Sequence, residues 1–339
     1  MSLSKTILAM VFVLMMGHNY AWPDEPMVRV DKWSCLMTDQ AVVLRFLDQR
    51  EDRSGNVSWT ISKGHRTIAK GRAVSSDNDE MLVKFTVSDM QVGSVVKLEL
   101  KLKFDDGALS ESLFLLPTNP FARRQEFLEQ AKLRLFDPSG ETAELFESSS
   151  IPFERLRTLE SVDVIEDGLL IVGEGNSLDR YSSLVESASK LATRGVTVIF
   201  LAPLDGGSKA PKLDMEVGPQ RRIVIEGAGV IKQFDKRFDT DVWAGQESLR
   251  WPWQISQDEK TFSLSRAEAA TGWHWIQMEY RWATNHQPED DRKQQAGAES
   301  SVIFCGLGIV DQWDEGPVPR HLLWKMIEKY STNKNKIDN

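Results

Sequence analysis

Cysteine is nearly missing from this chain: Cys35 and Cys305 are the only two in 339 residues. That scarcity excludes a disulfide framework, and a lone thiol inside an apolar strand, as Cys305 is, ordinarily serves packing. A basic excess is also missing. Lys and Arg number 41 against 50 Asp and Glu, for a net charge of -9. A protein that neutralises nucleic-acid phosphates needs the opposite balance, so no nucleic-acid partner is expected. The short clusters Arg221-Arg222 and Lys232 to Arg237, the latter interrupted by Asp235, read as solvated surface. The five histidines, His18, His65, His274, His286 and His321, are scattered, with no two at metal-ligand spacing on one helix, so no metal site is expected. Beyond the first residues, no segment is long and apolar enough to cross a bilayer.

What is present begins with Lys5 and an almost wholly apolar run from Thr6 to Gly17, ending at Asn19-Tyr20-Ala21. The run is shorter than the roughly 20 residues a spanning helix needs, and Ala21 is a small residue suited to cleavage. Residues 1–21 are therefore expected to be a signal peptide and the mature chain to start at Trp22, in a periplasmic or secreted location. An uncleaved anchor is the alternative, because Asn19 is an imperfect residue three positions before the cut.

From Val28 to Leu116 the chain reads as short strands: Ala41 to Leu47, Val57 to Ser62, Met81 to Val87, Val95 to Phe104 and Leu109 to Leu116. Val96, Leu98, Leu100, Leu102 and Phe104 alternate with Lys97, Glu99, Lys101 and Lys103, one face buried and the other wet. Asp105-Asp106-Gly107 supplies a hairpin turn. Strands at this spacing without helices predict an immunoglobulin-like all-β sandwich over 28–118.

Pro117-Thr118-Asn119-Pro120 ends that pattern and Phe121 to Lys132 starts a helical one. Leu133 to Phe136 reads as a strand, Glu141 to Ser148 as a helix, and Gly168 to Val172 as a continuously apolar strand. Ser177 is placed to cap a helix running through Leu178, Leu184, Val185, Ala188 and Leu191, closed by Gly195. Val196 to Ala202 is apolar enough to be covered on both faces, the mark of a parallel sheet. Arg222 to Glu226, Thr261 to Leu264, Gly272 to Trp282 and Ser301 to Val310 read as further apolar or strand segments, Ala283 to Ser300 as a loop, and Pro319 to Tyr330 as a closing helix. The β-α-β unit predicts an α/β domain over 121–331, doubly wound around a mainly parallel, flavodoxin-like sheet. Residues 332–339 are a polar tail.

The run Asp167-Gly168-Leu169-Leu170-Ile171-Val172-Gly173-Glu174-Gly175, followed by a helix and by Gly195-Val196-Thr197-Val198-Ile199-Phe200, resembles the core of the class I glutamine amidotransferase-like superfamily. It is most similar to the non-catalytic type found beside glycoside hydrolase domains in exported bacterial proteins. Cys305 to Trp313, with Pro317, Pro319 and Arg320 beyond, is similar to how such domains close, so the resemblance covers about 121–330. Active members carry a nucleophilic Cys on the turn after the strand matching Val196 to Ala202, and a later His-x-Glu pair. Here that turn is Ala202-Pro203-Leu204-Asp205-Gly206-Gly207 and no His-x-Glu pair exists. The resemblance therefore implies a fold without glutaminase activity, and no cofactor is expected.

Gly173-Glu174-Gly175-Asn176-Ser177 joins a strand to a helix, where backbone N–H groups can hold an anion. It lacks the third glycine of a dinucleotide fingerprint, and Glu174 would repel a phosphate, so a structural turn is the favoured reading. Glu174, Asp205 and Asp311 each follow an expected strand and would line one sheet edge. Eight of eleven tryptophans fall between Trp243 and Trp324. They read either as core filling or as an aromatic platform for sugar rings, with Trp273 and Trp275 on one face of a strand, His274, Ile276, Met278, Tyr280 and Trp282 on the other, and Trp313 the residue expected to be exposed. Candidate ligand contacts are thus Glu174, Asn176, Asp205, Asp311, Trp313 and Arg320, with a carbohydrate or an envelope protein as expected partner. The leading functional reading is an exported, non-catalytic binding or scaffold protein. The alternative is a glycan-acting hydrolase using the carboxylates at the sheet edge.

N-terminal sequencing of the exported protein should begin at Trp22 or within a few residues of it. Intact Met1 on protein recovered from the cytoplasm would contradict export.

Overall fold

In the computed structural model, the described residues are 27–30, 34–38, 40–50, 56–76, 80–87, 95–105, 107–206, 208–211, 220–239, 253–257, 261–266, 273–281 and 299–331. The expected signal peptide, most of the expected 283–300 loop, the polar tail and Trp243, Trp251 and Trp282 lie outside them. The chain forms two compact units, one of residues 1–32, 40–87 and 98–112, the other of 33–39, 88–97 and 113–339.

The first stretch of chain carries β1 (Met27–Arg29), β2 (Cys35–Met37), β3 (Ala41–Asp48), β4 (Ser58–Lys63), β5 (Arg66–Arg72), β6 (Val74–Ser75), β7 (Glu80–Thr86), β8 (Val96–Phe104) and β9 (Gly107–Leu116). In the first unit β1-β3-β7-β6 make one antiparallel sheet, and β9-β8-β4-β5 run in that order in another. Strict alternation decides which side faces inward: Val42, Leu44 and Phe46 of β3 and Leu98, Leu100 and Leu102 of β8 are buried while their neighbours are not. The sheets meet through side chains such as Trp59 and Phe85, whose ring centroids are 5.9 Å apart, so the unit is a sandwich. Gly71 is required by that packing, since a Cβ there would lie 2.6 Å from the Trp59 indole.

The second unit holds β10 (Leu133–Phe136), β11 (Glu154–Leu156), β12 (Leu169–Val172), β13 (Thr197–Phe200), β14 (Ser208–Pro211), β15 (Gln220–Glu226), β16 (Trp253–Gln257), β17 (Thr261–Arg266), β18 (Trp275–Arg281) and β19 (Glu299–Cys305). The sheet order is β11-β10-β12-β13-β19-β18-β15. Pairing is parallel as far as β19 and antiparallel beyond it. A smaller antiparallel sheet runs β14-β17-β16, and β2 pairs in parallel with the end of β9. The helices are α1 (Gln125–Gln130), α2 (Glu141–Ser148), α3 (Leu159–Asp163), α4 (Leu184–Thr193), α5 (Ile231–Phe234) and α6 (Pro317–Ser331).

Alternate residues of the central strands feed two cores. Leu169, Ile171, Ile199, Ile303 and Cys305 pack with Phe146 of α2 and Leu323 and Ile327 of α6. Leu170, Val172, Val198, Phe200, Val302 and Phe304 pack with Val162 of α3 and Val185 and Ala188 of α4. Strands sandwiched between two helical layers must be apolar at every position, and β12 and β13 are buried throughout.

Two expectations need correction. The helix expected from Ser177 starts at Leu184: Ser177 caps a turn, its Oγ accepting the Arg180 N–H at 3.1 Å, but Leu178 N–H is bonded to the Asp205 carbonyl at 3.3 Å and residues 178–183 stay in turns. The helix expected over Phe121 to Lys132 is α1 alone, because residues 120–123 form turns. Of the two readings of the C-terminal tryptophans, core filling holds for β18, where Trp275, Ile276, Met278 and Tyr280 are buried, while Trp273 just before it is exposed.

His321 of α6 is buried, and its Nε2–H donates to the Pro117 carbonyl at 2.8 Å. Burial lowers its pKa to about 4, helped by Arg124 and Lys325 and opposed by the Pro117 bond and Asp235. The unfolded chain, with an ordinary value near 6.5, takes up a proton first as pH falls. Stability is therefore lost between pH 6.5 and 4, by about 3 kcal/mol from this group. His321→Gln keeps a donor for Pro117 and does not titrate. The stability advantage of the parent over this variant should shrink by about that amount from pH 7 to pH 4, and a constant difference would contradict the burial of a neutral imidazole.

Candidate functional site

Parallel pairing brings the carboxyl ends of β10, β12, β13 and β19 to one edge, so the turns after them, at 137–140, 173–177, 201–206 and 306–311, share it. Two of them, at 137–140 and 173–177, carry buried acidic side chains that bond to backbone N–H groups. Asp137 is buried, and its carboxylate accepts from the Ala143 N–H at 2.8 Å and the Ser139 hydroxyl at 2.7 Å. It thereby satisfies one of the free N–H groups at the start of α2, where Gly140 offers no side chain. Gly173 follows from this, because a Cβ there would stand 2.6 Å from Asp137 Oδ1.

Glu174 is 4% exposed and closes the edge. Its Oε2 accepts from the N–H groups of Ile309 at 2.7 Å and Val310 at 2.9 Å, and its Oε1 from Asp311 at 3.1 Å. Its own N–H donates to Thr142 Oγ1 at 2.9 Å. Burial pushes the Glu174 carboxyl up to about 7, with the nearby Asp311 charge acting in the same sense, while the three backbone donors pull it down. Every acceptor position used is met by a donor, so the geometry suits the carboxylate form. Cys305, directly before this loop, is fully buried, and burial raises its thiol to about 12. A thiol in that setting is not a nucleophile at neutral pH.

The other expected residues divide. Asn176 is buried and structural: its side-chain Nδ2 donates to the Gly173 carbonyl at 2.7 Å and its backbone carbonyl accepts from Leu204 N–H at 3.1 Å. Asp205 is half-buried, with Oδ1 lacking a hydrogen-bond partner. The Asp311 side chain is exposed while its N–H serves Glu174. Trp313, expected to be exposed, is buried. Its ring stacks on Phe121 at 6.2 Å with 14° between planes, and the Arg320 guanidinium lies 5.4 Å from its centroid. A residue's exposure depends on partners remote in sequence, and Phe121 supplies the cover here.

Arg320 is fixed by three acceptors. Nε donates to the Trp313 carbonyl at 2.8 Å, Nη1 to the Thr118 carbonyl at 3.1 Å and Nη2 to Asp314 Oδ1 at 2.7 Å. Trp313 and Arg320 thus come together, with Thr118, Asn119, Ser148, Ser149 and Asp314, around a polar cavity of about 360 Å³ that Val310 also lines. Among the described residues no cluster of His, Cys, Asp and Glu could hold a metal. Asp137, Thr142, Asn119 and Asp314 were missed from sequence. Asp137 sits in a visible strand-ending turn, Asp137-Pro138-Ser139-Gly140, but its bond to Ala143 reaches past the helix start and follows no local capping rule.

No family model matches the chain, and no curated protein matches it. Solved structures that align include an engineered protein (8% identity, 27% of this chain, TM-score 0.22), of which this chain spans 19%. Titin immunoglobulin tandem domains A164-A165 align at 8% identity over 82% of this chain and 94% of theirs, with a TM-score of 0.20. An endo-fucoidan hydrolase variant of glycoside hydrolase family 107 aligns at 7% identity over 85% of this chain and 30% of its own, also at 0.20. At these scores none of the three assigns a fold or an activity to this chain.

Proposed function

We propose that this chain is an exported, non-catalytic binding or scaffold protein of the cell envelope. In this reading its α/β unit is a degenerate, class I glutamine amidotransferase-like domain, doubly wound in the flavodoxin-like manner, and the sandwich is immunoglobulin-like and mediates association. Numbered among themselves in chain order, the five neighbouring parallel strands run 2-1-3-4-5, which supports the flavodoxin-like reading. Helices on both sheet faces support it too. Among the described residues no helix is long and apolar enough to cross a membrane.

The observation that carries the non-catalytic reading is the state of Glu174. A carboxylate whose two oxygens accept three backbone N–H bonds inside the protein is occupied as an anchor. The hydrolase alternative needs two carboxylates facing a cleft, and the most buried of its three candidates is the one so occupied. The thiol that a glutaminase would require is absent from the turn at 202–207, and Cys305 is sealed in the core.

An anchor and a catalytic acid respond oppositely to removal. Catalytic groups are held at a cost to the fold, so their loss commonly stabilises the protein. Glu174→Gln, by contrast, turns one accepting oxygen into an NH2 that faces a backbone N–H, and should lower stability by about 1–3 kcal/mol. Glu174→Ala strands all three donors and should cost more. Chemical denaturation measures both, alongside ammonia release from glutamine and hydrolysis of aryl glycosides, for which no turnover is expected. A Glu174→Gln protein more stable than its parent, together with a parent turnover that the substitution abolishes, would overturn the proposal.

A further inference from the structure

The cavity beside the first turn of α6 has the size and the chemistry of a small-ligand site. Its volume of about 360 Å³ falls within the roughly 300–1,000 Å³ of such sites. The Arg320 guanidinium is held in place by two backbone carbonyls, and its side chain is 14% exposed, whereas that of its ionic partner Asp314 is 90% exposed. The pair sums to no net charge, so a free anion would meet the Asp314 carboxylate and a free cation the guanidinium. An apolar ligand would strip water from both without replacing its hydrogen bonds. A neutral molecule with adjacent hydroxyls satisfies the pair, one hydroxyl donating to Asp314 and its neighbour accepting from Arg320.

The remaining wall fits the same ligand. The Ser148 hydroxyl donates to the Leu145 carbonyl at 3.0 Å and so presents its lone pairs as acceptors. Leu145 and Val310 offer apolar surface for C–H groups, beside Trp313, which its stack on Phe121 keeps in position. Resting on the binding-protein reading above, we propose that this cavity binds a single neutral sugar residue, gripped through vicinal hydroxyls by the Arg320–Asp314 pair.

Titration calorimetry on the full chain, with the methyl glycosides of glucose, galactose, mannose and N-acetylglucosamine and with inorganic phosphate, tests it. At least one glycoside should bind saturably, and phosphate should not. Asp314→Asn, at an exposed position that leaves Arg320's carbonyl bonds intact, should weaken that binding at least tenfold. Ser148→Phe, at an exposed helix end, should abolish it by filling the space, and both variants should keep the parent's melting temperature. Failure of all four glycosides to bind folded protein, saturable phosphate binding instead, or sugar affinity unchanged in both variants would overturn the site and leave the non-catalytic reading standing. Sugar binding accompanied by hydrolysis of the matching nitrophenyl glycoside would overturn the non-catalytic reading and support the site.

Discussion

A carboxylate buried at the edge of the α/β sheet, that of Glu174, accepts the N–H groups of three consecutive residues in the loop between β19 and α6. Such a loop presents backbone donors that must be satisfied away from water, and an unmet buried donor costs about 1–3 kcal/mol. One side chain meets three at once. The turn that carries Glu174 is tied in turn to its neighbours, through Thr142 at the start of α2 and through the bond from Gly175 N–H to the Ala202 carbonyl at 2.8 Å. The strand ends are therefore stitched together across the edge where open α/β sheets usually bind their ligands.

Consequences run outward from that closure. The loop held by Glu174 leads through Trp313 into α6, whose Leu322, Leu323, Met326 and Ile327 fill the core on one face of the sheet. Arg320 then fastens the start of α6 to Trp313 and Thr118. Open polar space lies in the cavity bounded by Ser148, Asp314 and Arg320. Arg320, Asn119 and Ser148 in its lining are each tethered to a backbone carbonyl.

How much of this is legible in the sequence depends on the range of the interaction. β3 and β8 alternate so regularly that their buried faces can be read by inspection, and the unbroken apolar runs of β12 and β13 announce strands covered on both sides. Leu133–Phe136 and Glu141–Ser148 are correct to the residue, since Asp137-Pro138-Ser139-Gly140 punctuates the chain between them. Longer reach defeats local rules. Ser177 has the chemistry of a helix cap, yet its neighbour Leu178 is claimed by Asp205 on the next turn. Trp313 sits among charged residues and reads as exposed, but Phe121 covers it. Glu174 is recognisable as an acid at a strand end, whereas its role as an anchor depends on donors that only the folded sheet brings within 3.1 Å.

Amide hydrogen exchange at Ile309, Val310 and Asp311 reads the central interaction directly. These N–H groups lie in a loop, outside any helix or strand ladder, so protection there reports the Glu174 carboxylate. Exchange as slow as that of the buried β12 and β13 amides is the predicted result. Exchange at the rate of an unprotected loop, in protein whose β12 and β13 remain protected, would contradict the closure of the sheet edge by Glu174.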